Sequence, residues 1–152
     1  MPNARRFGVC LFVSAMLFAT AAFADGPFQF HSISPCRVAD TRTGSGGILH
    51  NGNPARVVAT RGVCGIPSAA TAVVVNVTVV GPSATGFLTL WPADIAWPGV
   101  ATLTFNAGEP ALGNGAIVPL GVSTDMQMVY GIATGSATTH VVIDATGYFS
   151  VN

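Results

Sequence analysis

The sequence contains no lysine, and charged residues make up only 8% of it. After residue 24, six acidic and four basic side chains leave a net charge of −2. Nucleic-acid phosphates are bound through clustered basic residues, so this balance argues against a nucleic-acid partner and against electrostatic attachment to a membrane surface. A domain with so few charges has a largely neutral surface, which favours association with another molecule.

The motifs of hydrolases and metal sites are also missing. There is no G-x-S-x-G elbow, and His140 and Asp144 stand four residues apart in one predicted strand. That spacing is about 13 Å, too far for the hydrogen bond of a catalytic triad. The chain has no C-x-x-C pair to bind zinc, and its acids are too scattered in sequence for a calcium loop. We therefore expect no catalytic activity, no cofactor and no metal.

The N-terminus has the three parts of a secretory signal peptide. Arg5 and Arg6 precede an apolar run from residue 7 to residue 23, and Ala22-Phe23-Ala24 is a small-x-small cleavage site. The run is short for a spanning helix, so we expect no transmembrane segment in the mature chain. The sequence predicts a signal peptide over 1–24 and a single domain over 25–152, either secreted or held at the cell surface.

Two cysteines, Cys36 and Cys64, remain after the predicted cleavage site. Exported proteins fold in an oxidising environment, where a lone cysteine pair most simply forms a disulfide. The sequence therefore predicts a Cys36–Cys64 bridge.

The strongest strand pattern runs from Ala72 to Val80. Val73, Val75, Val77 and Val79 fall on one face, because successive side chains of a strand alternate between its two faces. Gly81-Pro82 follows and ends the pattern, since proline cannot donate to a continuing ladder. We interpret this segment as a central strand with a valine face in the core.

Shorter alternating segments occupy most of the remaining chain, and none shows helical periodicity. Seven to nine short strands separated by turn signals are typical of an all-β fold. We predict a single-domain antiparallel β-sandwich, either a jelly roll or immunoglobulin-like, with a barrel as the alternative. The predicted strands outside the central one are 28–33, 56–60, 86–91, 102–106, 116–120, 126–132 and 138–149.

Three finer predictions concern how these strands end and pair. We expect Ser34-Pro35 to end the first strand. We expect 86–91 to form a hairpin with the central strand, because the five residues between them are a common hairpin length. Pro119 lies inside a predicted strand, which indicates an edge or bulged strand.

The mature sequence resembles a module of about 130 residues that recurs in secreted and surface proteins of bacteria, alone, in tandem or attached to hydrolases. The resemblance implies a surface or cell-envelope domain, and it carries no established activity over to this chain. Its motifs follow one another along 35–42, 65–67, 70–79, 86–92, 103–106, 116–121 and 140–149.

Two polar motifs, Asp40-Thr-Arg42 and Asp144-Ala-Thr-Gly147, allow two interpretations. They could form a carbohydrate or calcium site. They could instead pair Arg37 or Arg42 with Asp40 or Asp144 and tie the first segment to the last strand, since the arginine fork suits a carboxylate. We favour these structural ion pairs.

The aromatic residues Trp91, Trp97 and Tyr130 could form a platform for a sugar ring, because loops on a rigid scaffold often carry binding. Packing into the core is the other interpretation. The leading hypothesis is a non-enzymatic secreted or cell-surface protein with a structural or adhesive role, whose partner is a second copy in an oligomer or filament. The alternative is a carbohydrate-binding module that uses these three aromatics on a cell-surface glycan.

Overall fold

The computed structural model describes residues 27–151, so the predicted signal peptide lies outside the described residues. The described chain consists of strands joined by turns and loops, without a helix. The strands are β1 (Phe28–Asp40), β2 (Leu49–His50), β3 (Arg56–Val58), β4 (Ala70–Val80), β5 (Gly86–Pro92), β6 (Leu103–Phe105), β7 (Ala111–Pro119), β8 (Met126–Gly131) and β9 (Thr138–Val151).

The strands form two antiparallel sheets that pack face to face. The first sheet has the order β1-β9-β4-β7, with the short β2 pairing beside β9, and the second has the order β3-β8-β5-β6. Each sheet begins and ends on a different strand, so neither closes on itself. The predicted β-sandwich is confirmed, and the barrel alternative is wrong.

The strand pairs are nested along the chain. β1 pairs with β9, β3 with β8, β4 with β7, and β5 with β6. The chain therefore forms one long antiparallel ribbon that turns back between β5 and β6. Rolling the ribbon brings β4 beside β9 and β5 beside β8. This is the jelly-roll arrangement, and its strand order differs from that of an immunoglobulin-like sandwich.

The core lies between the sheets and is built on β4. Val73, Val75, Val77 and Val79 are at most 1% exposed. They pack in one cluster with inward residues of the second sheet, including Leu88. Burying a valine side chain stabilises a fold by about 1.5 kcal/mol or more. The predicted valine face and the central place of β4, between β9 and β7, are both confirmed.

Two predictions about β1 and β5 are wrong. β1 continues past Ser34-Pro35 to Asp40, with a register shift between Ser32 and Cys36 that absorbs the proline at the edge of the sheet. β5 does not form a hairpin with β4. Residues 81–85 instead carry the chain across to the second sheet, where β5 pairs with β6 and β8.

β7 is longer than its sequence pattern indicated. It begins at Ala111, which pairs with Val80, and it ends at Pro119, which pairs with Ala72. β7 is an edge strand of the first sheet, as Pro119 predicted.

The predicted disulfide is present and links β1 to the turn after β3. Cys36 and Cys64 are bonded, with 5.8 Å between their Cα atoms. Cys64 has a φ of 58° within a tight turn, in which the Gly62 N–H donates to the carbonyl of Ile66. The bridge therefore fixes an edge of the first sheet to a loop that leads into β4.

The side chain of Arg61 joins two loops and the start of β4, a role that its sequence context did not indicate. Its guanidinium donates to the carbonyl oxygens of Ala70, Gly121 and Thr124 at 2.6 to 3.0 Å. It also pairs with Asp125 at 3.3 Å, and the Asp125 carboxylate accepts from the Thr60 N–H. This network holds the end of the β3–β4 loop against the loop between β7 and β8.

We expect the Cys36→Ser/Cys64→Ser double variant to unfold at a lower temperature than the wild type. The bridge joins cysteines that are 28 positions apart, and closing this loop removes entropy from the unfolded chain, which the chain-entropy relation puts at about 3.5 kcal/mol. Thermal unfolding followed by circular dichroism measures the difference. Equal melting temperatures for the two proteins would contradict a stabilising bridge.

Replacing Arg61 with alanine should destabilise the fold by about 2 kcal/mol, because several part-buried carbonyls lose their guanidinium donor and Asp125 loses its ion-pair partner. Arg56→Ala is the matched control. Arg56 also donates to loop carbonyls, but its hydrogen bonds are exposed. Urea unfolding compares the three proteins, and equal losses in the two variants would show that the Arg61 network has no special role.

Candidate functional site

A groove on the outer face of the second sheet is lined by aromatic residues of β5, of the loop after β5 and of β8. On β5, Leu88 and Leu90 point into the core, so Phe87, Thr89 and Trp91 face outward. On β8, Gly131 lies opposite Phe87. An added Cβ at Gly131 would lie 2.3 Å from the Phe87 ring, so the glycine lets this ring lie flat on the sheet.

The loop between β5 and β6 folds back over this outer face. The Thr89 hydroxyl donates to the carbonyl of Val100 at 2.6 Å, and the Trp91 indole N–H donates to the carbonyl of Ile95 at 3.1 Å. The indole N–H of Trp97 donates to the Thr89 oxygen at 3.4 Å. These bonds fix the loop to β5 and hold Trp97 above the sheet.

Trp97 is the exposed aromatic surface of the groove. Its ring is stacked on Phe87, with centroids 6.0 Å apart and an angle of 11° between the planes. The residue remains 53% exposed. A half-exposed tryptophan held by a second ring and a hydrogen bond is a rigid apolar surface open to a ligand.

The groove beside Trp97 has a volume of about 340 Å³, within the range of small-molecule sites. Its other wall comes from the loop between β2 and β3, where Asn53 supplies an exposed side-chain amide. None of the described residues that line it carries a charge. The lining residues are Gly52, Asn53, Ala55, Phe87, Trp91, Trp97, Val129, Tyr130 and Gly131.

The structure places the three predicted aromatics around one groove but gives them different roles. Tyr130 faces the core, is 1% exposed and packs against Phe105, so its ring cannot serve as a platform; burial also raises the pKa of its hydroxyl. Trp91 is 4% exposed and forms part of the floor. The contribution of Phe87 was missed, because the sequence pattern did not indicate that the loop after β5 folds back over the outer face of β5 and stacks Trp97 on Phe87.

The predicted ion pairs form a polar cluster on the first sheet. Arg37 lies opposite Asp144 on the neighbouring strand, and its guanidinium donates to both carboxylate oxygens, at 2.9 and 3.2 Å. Asp40 accepts from the side chain of Arg42 at 2.9 and 2.7 Å, and from Arg37 at 3.1 Å. The four side chains tie β1 to β9 and to the loop after β1.

These contacts determine the charge state of the cluster. Hydrogen bonds from the side chain and backbone N–H of Arg42 hold the pKa of the Asp40 carboxyl well below its usual range. The hydrogen bond to Asp144 raises the pKa of Arg37, and the one to Asp40 raises that of Arg42. Both carboxylates are engaged by guanidinium donors, an arrangement that fits a structural clamp better than a calcium site.

His140 and Asp144 have separate partners. The His140 ring nitrogen Nδ1 lies 3.1 Å from the Thr41 hydroxyl, which accepts a hydrogen bond from the backbone N–H of Val141. Asp144 is paired with Arg37. Asp144 therefore anchors β9 to β1, and His140 anchors it to the residue that follows β1.

A larger cleft, of about 410 Å³, opens between the edge strands β1 and β3. Its main polar group is Arg56, whose guanidinium donates to the carbonyl oxygens of Ser45, Gly47 and Ile48. Because these donors already hold the loop after β1, the cleft offers a ligand less than the aromatic groove does.

The chain matches no family model, and no curated protein or solved structure is significantly similar to it. The resemblance to the recurrent bacterial module therefore stays a prediction. Within residues 27–151, no group of three or more histidine, cysteine or acidic side chains is placed to hold a metal ion. The same residues contain no helix with the length and apolarity that a membrane span requires.

The stability of the protein should fall with acidification in a way that depends on Asp40. Its folded-state pKa is lowered, so the ionised carboxylate stabilises the fold above the unfolded pKa, near 3.9, and this contribution is lost as the pH falls below that value. Asp40→Asn should therefore be less stable than the wild type at pH 7, with the difference shrinking below pH 4.

Urea unfolding from pH 7 to pH 2.5 measures these two profiles. Glu109→Gln is the control, because Glu109 forms no ion pair among the described residues. A constant difference between wild type and Asp40→Asn across the whole range would contradict the role given to the ionised carboxylate.

Proposed function

We propose that this protein is a non-enzymatic, exported adhesive module that binds carbohydrate in the groove beside Trp97. The observation that carries the proposal is the exposed face of Trp97, fixed by its stacking on Phe87 and its hydrogen bond to Thr89. A pyranose ring has an apolar C–H face, which packs on an aromatic ring, and hydroxyls at its rim. A concave apolar site with a few polar groups suits such a ligand.

The chemistry of the groove favours a neutral sugar. Within residues 27–151, the side chains that line it are uncharged and offer no ion-pair partner for a carboxylate, sulfate or amine. The Asn53 amide has both a donor and an acceptor for hydroxyl groups. The arginine and aspartate side chains of the polar cluster on the first sheet are already paired with one another.

Two observations support a role outside the cell. The Cys36–Cys64 disulfide is of the kind that persists in oxidising compartments. The N-terminal sequence has the pattern of a signal peptide. A secreted or surface-held adhesive domain also agrees with the resemblance to bacterial surface modules.

A structural protein that associates with itself is the second candidate. The observation that favours it is the exposed, uncharged edge strand β7, which ends the first sheet. The two candidates involve different parts of the molecule, because the groove lies on the second sheet.

Trp97→Ala should weaken the binding of a neutral oligosaccharide about tenfold or more, because it removes the stacking surface. A ligand selected by screening the exported wild-type protein on a glycan array would be titrated by calorimetry, which does not depend on the lost fluorophore. Phe28→Ala is the matched control, since Phe28 is an aromatic residue that is 48% exposed on the first sheet.

Trp97→Phe should retain part of the affinity, since it keeps a ring on Phe87. Equal affinities for the wild type, Trp97→Ala and Phe28→Ala would contradict the groove as the site. A lower melting temperature of Trp97→Ala with unchanged affinity would show that Trp97 only packs its loop.

A further inference from the structure

Apart from the two-residue β2, the described sandwich has four edge strands, and they are protected to very different degrees. β3 and β6 are three residues long, too short to pair extensively with another chain. β1 has two register shifts, contains Pro35 and carries Arg37 and Asp40. Bulges, prolines and charges are the devices by which proteins prevent edge-to-edge association.

β7 has none of these devices along most of its length. Its nine residues contain no charge, and it pairs with β4 from Ala111 to Pro119 without a register shift. Its single proline is the last residue. Edge strands of this length and regularity are templates for pairing with another strand.

The direction of the free backbone groups follows from the ends of β7. Leu120 donates its N–H to the carbonyl of Thr71, and the carbonyl of Pro110 accepts from Gly81, so the even-numbered residues bond toward β4. The odd-numbered residues therefore point their backbone groups away from the sheet, and the missing N–H of Pro119 costs no bond to β4. The outward-pointing residues, meaning those whose backbone N–H and C=O groups are free at the edge of the sheet, are Ala111, Gly113, Gly115, Ile117 and Pro119, apart from the missing N–H of the proline. All five residues are exposed.

We propose that β7 pairs with β7 of a second copy of this chain, antiparallel and about a two-fold axis, so that the first sheets of the two molecules become one continuous sheet. The inference rests on the second candidate function, self-association, and is independent of glycan binding. Two-fold pairing is self-complementary, because each strand supplies both the donors and the acceptors that the other needs.

The sequence of β7 fits one register of this pairing. With the axis at Gly115, every outward-pointing residue lies opposite an outward-pointing residue, which gives roughly eight backbone hydrogen bonds. Ile117, which is 62% exposed, then lies opposite the partner's Gly113, where no side chain opposes it. An added Cβ at Gly115 would meet no atom within 4 Å, so the fold of one molecule does not require glycine there.

The first test is the mass of the exported protein, produced from the full-length chain, by sedimentation velocity across a concentration series. The wild type should form a dimer, and Ile117→Lys should shift it to the monomer, because the variant places a charge on the paired edge. Val122→Lys is the matched control. Val122 is 95% exposed just beyond β7, and its variant should dimerise like the wild type.

The second test is a cysteine at the proposed axis. Under mild oxidation, Gly115→Cys should form a disulfide-linked dimer, whereas Val122→Cys should not, with the linkage located by mass spectrometry. A wild type that stays monomeric would overturn both the inference and self-association. Oligomers that survive Ile117→Lys and fail to link through residue 115 would overturn the β7 interface while supporting self-association through another surface.

Discussion

The burial of one face of β4 is the interaction on which the rest of the structure depends. Its four valines are almost completely buried against the second sheet, while hydrogen bonds on both sides join β4 to β9 and β7. An aspartate at Val75 would place an unpaired charge between the sheets, where burial is most costly. The disulfide and the Arg37–Asp144 pair add only local ties at the edge of the first sheet.

Because the core lies between the two sheets, their outer faces and edges are free for function. The second sheet has Trp97 and Phe87 on its outer face, and the first sheet ends in the uncharged strand β7. A dimer through β7 would carry two grooves. Two linked sites raise avidity for a surface that displays many sugars, without any new contact in either groove. The two proposals are therefore compatible, although each stands on its own observations.

The sequence was most informative where a residue's role depends on its neighbours along the chain. Alternation identified the valine face, and the cysteine pair and the compartment together identified the disulfide. Loop length failed for β4 and β5, because five residues can close a hairpin or cross between sheets, and packing decides which. Phe87 and Arg61 were missed for a similar reason. The contact of Phe87 with Trp97 depends on how the loop after β5 folds back, and the loop before β8 becomes a neighbour of Arg61 only when the ribbon is rolled.

The central claim is that the open face of Trp97 binds a neutral sugar. The most direct measurement is an NMR titration of the exported, ¹⁵N-labelled protein with neutral oligosaccharides, following its two indole N–H signals. The account predicts that the Trp97 signal and the backbone amide of Gly131 shift together with added sugar, while the amides of β7, on the other sheet, stay in place. An unchanged Trp97 signal with every sugar tested, or shifts confined to another surface, would contradict it.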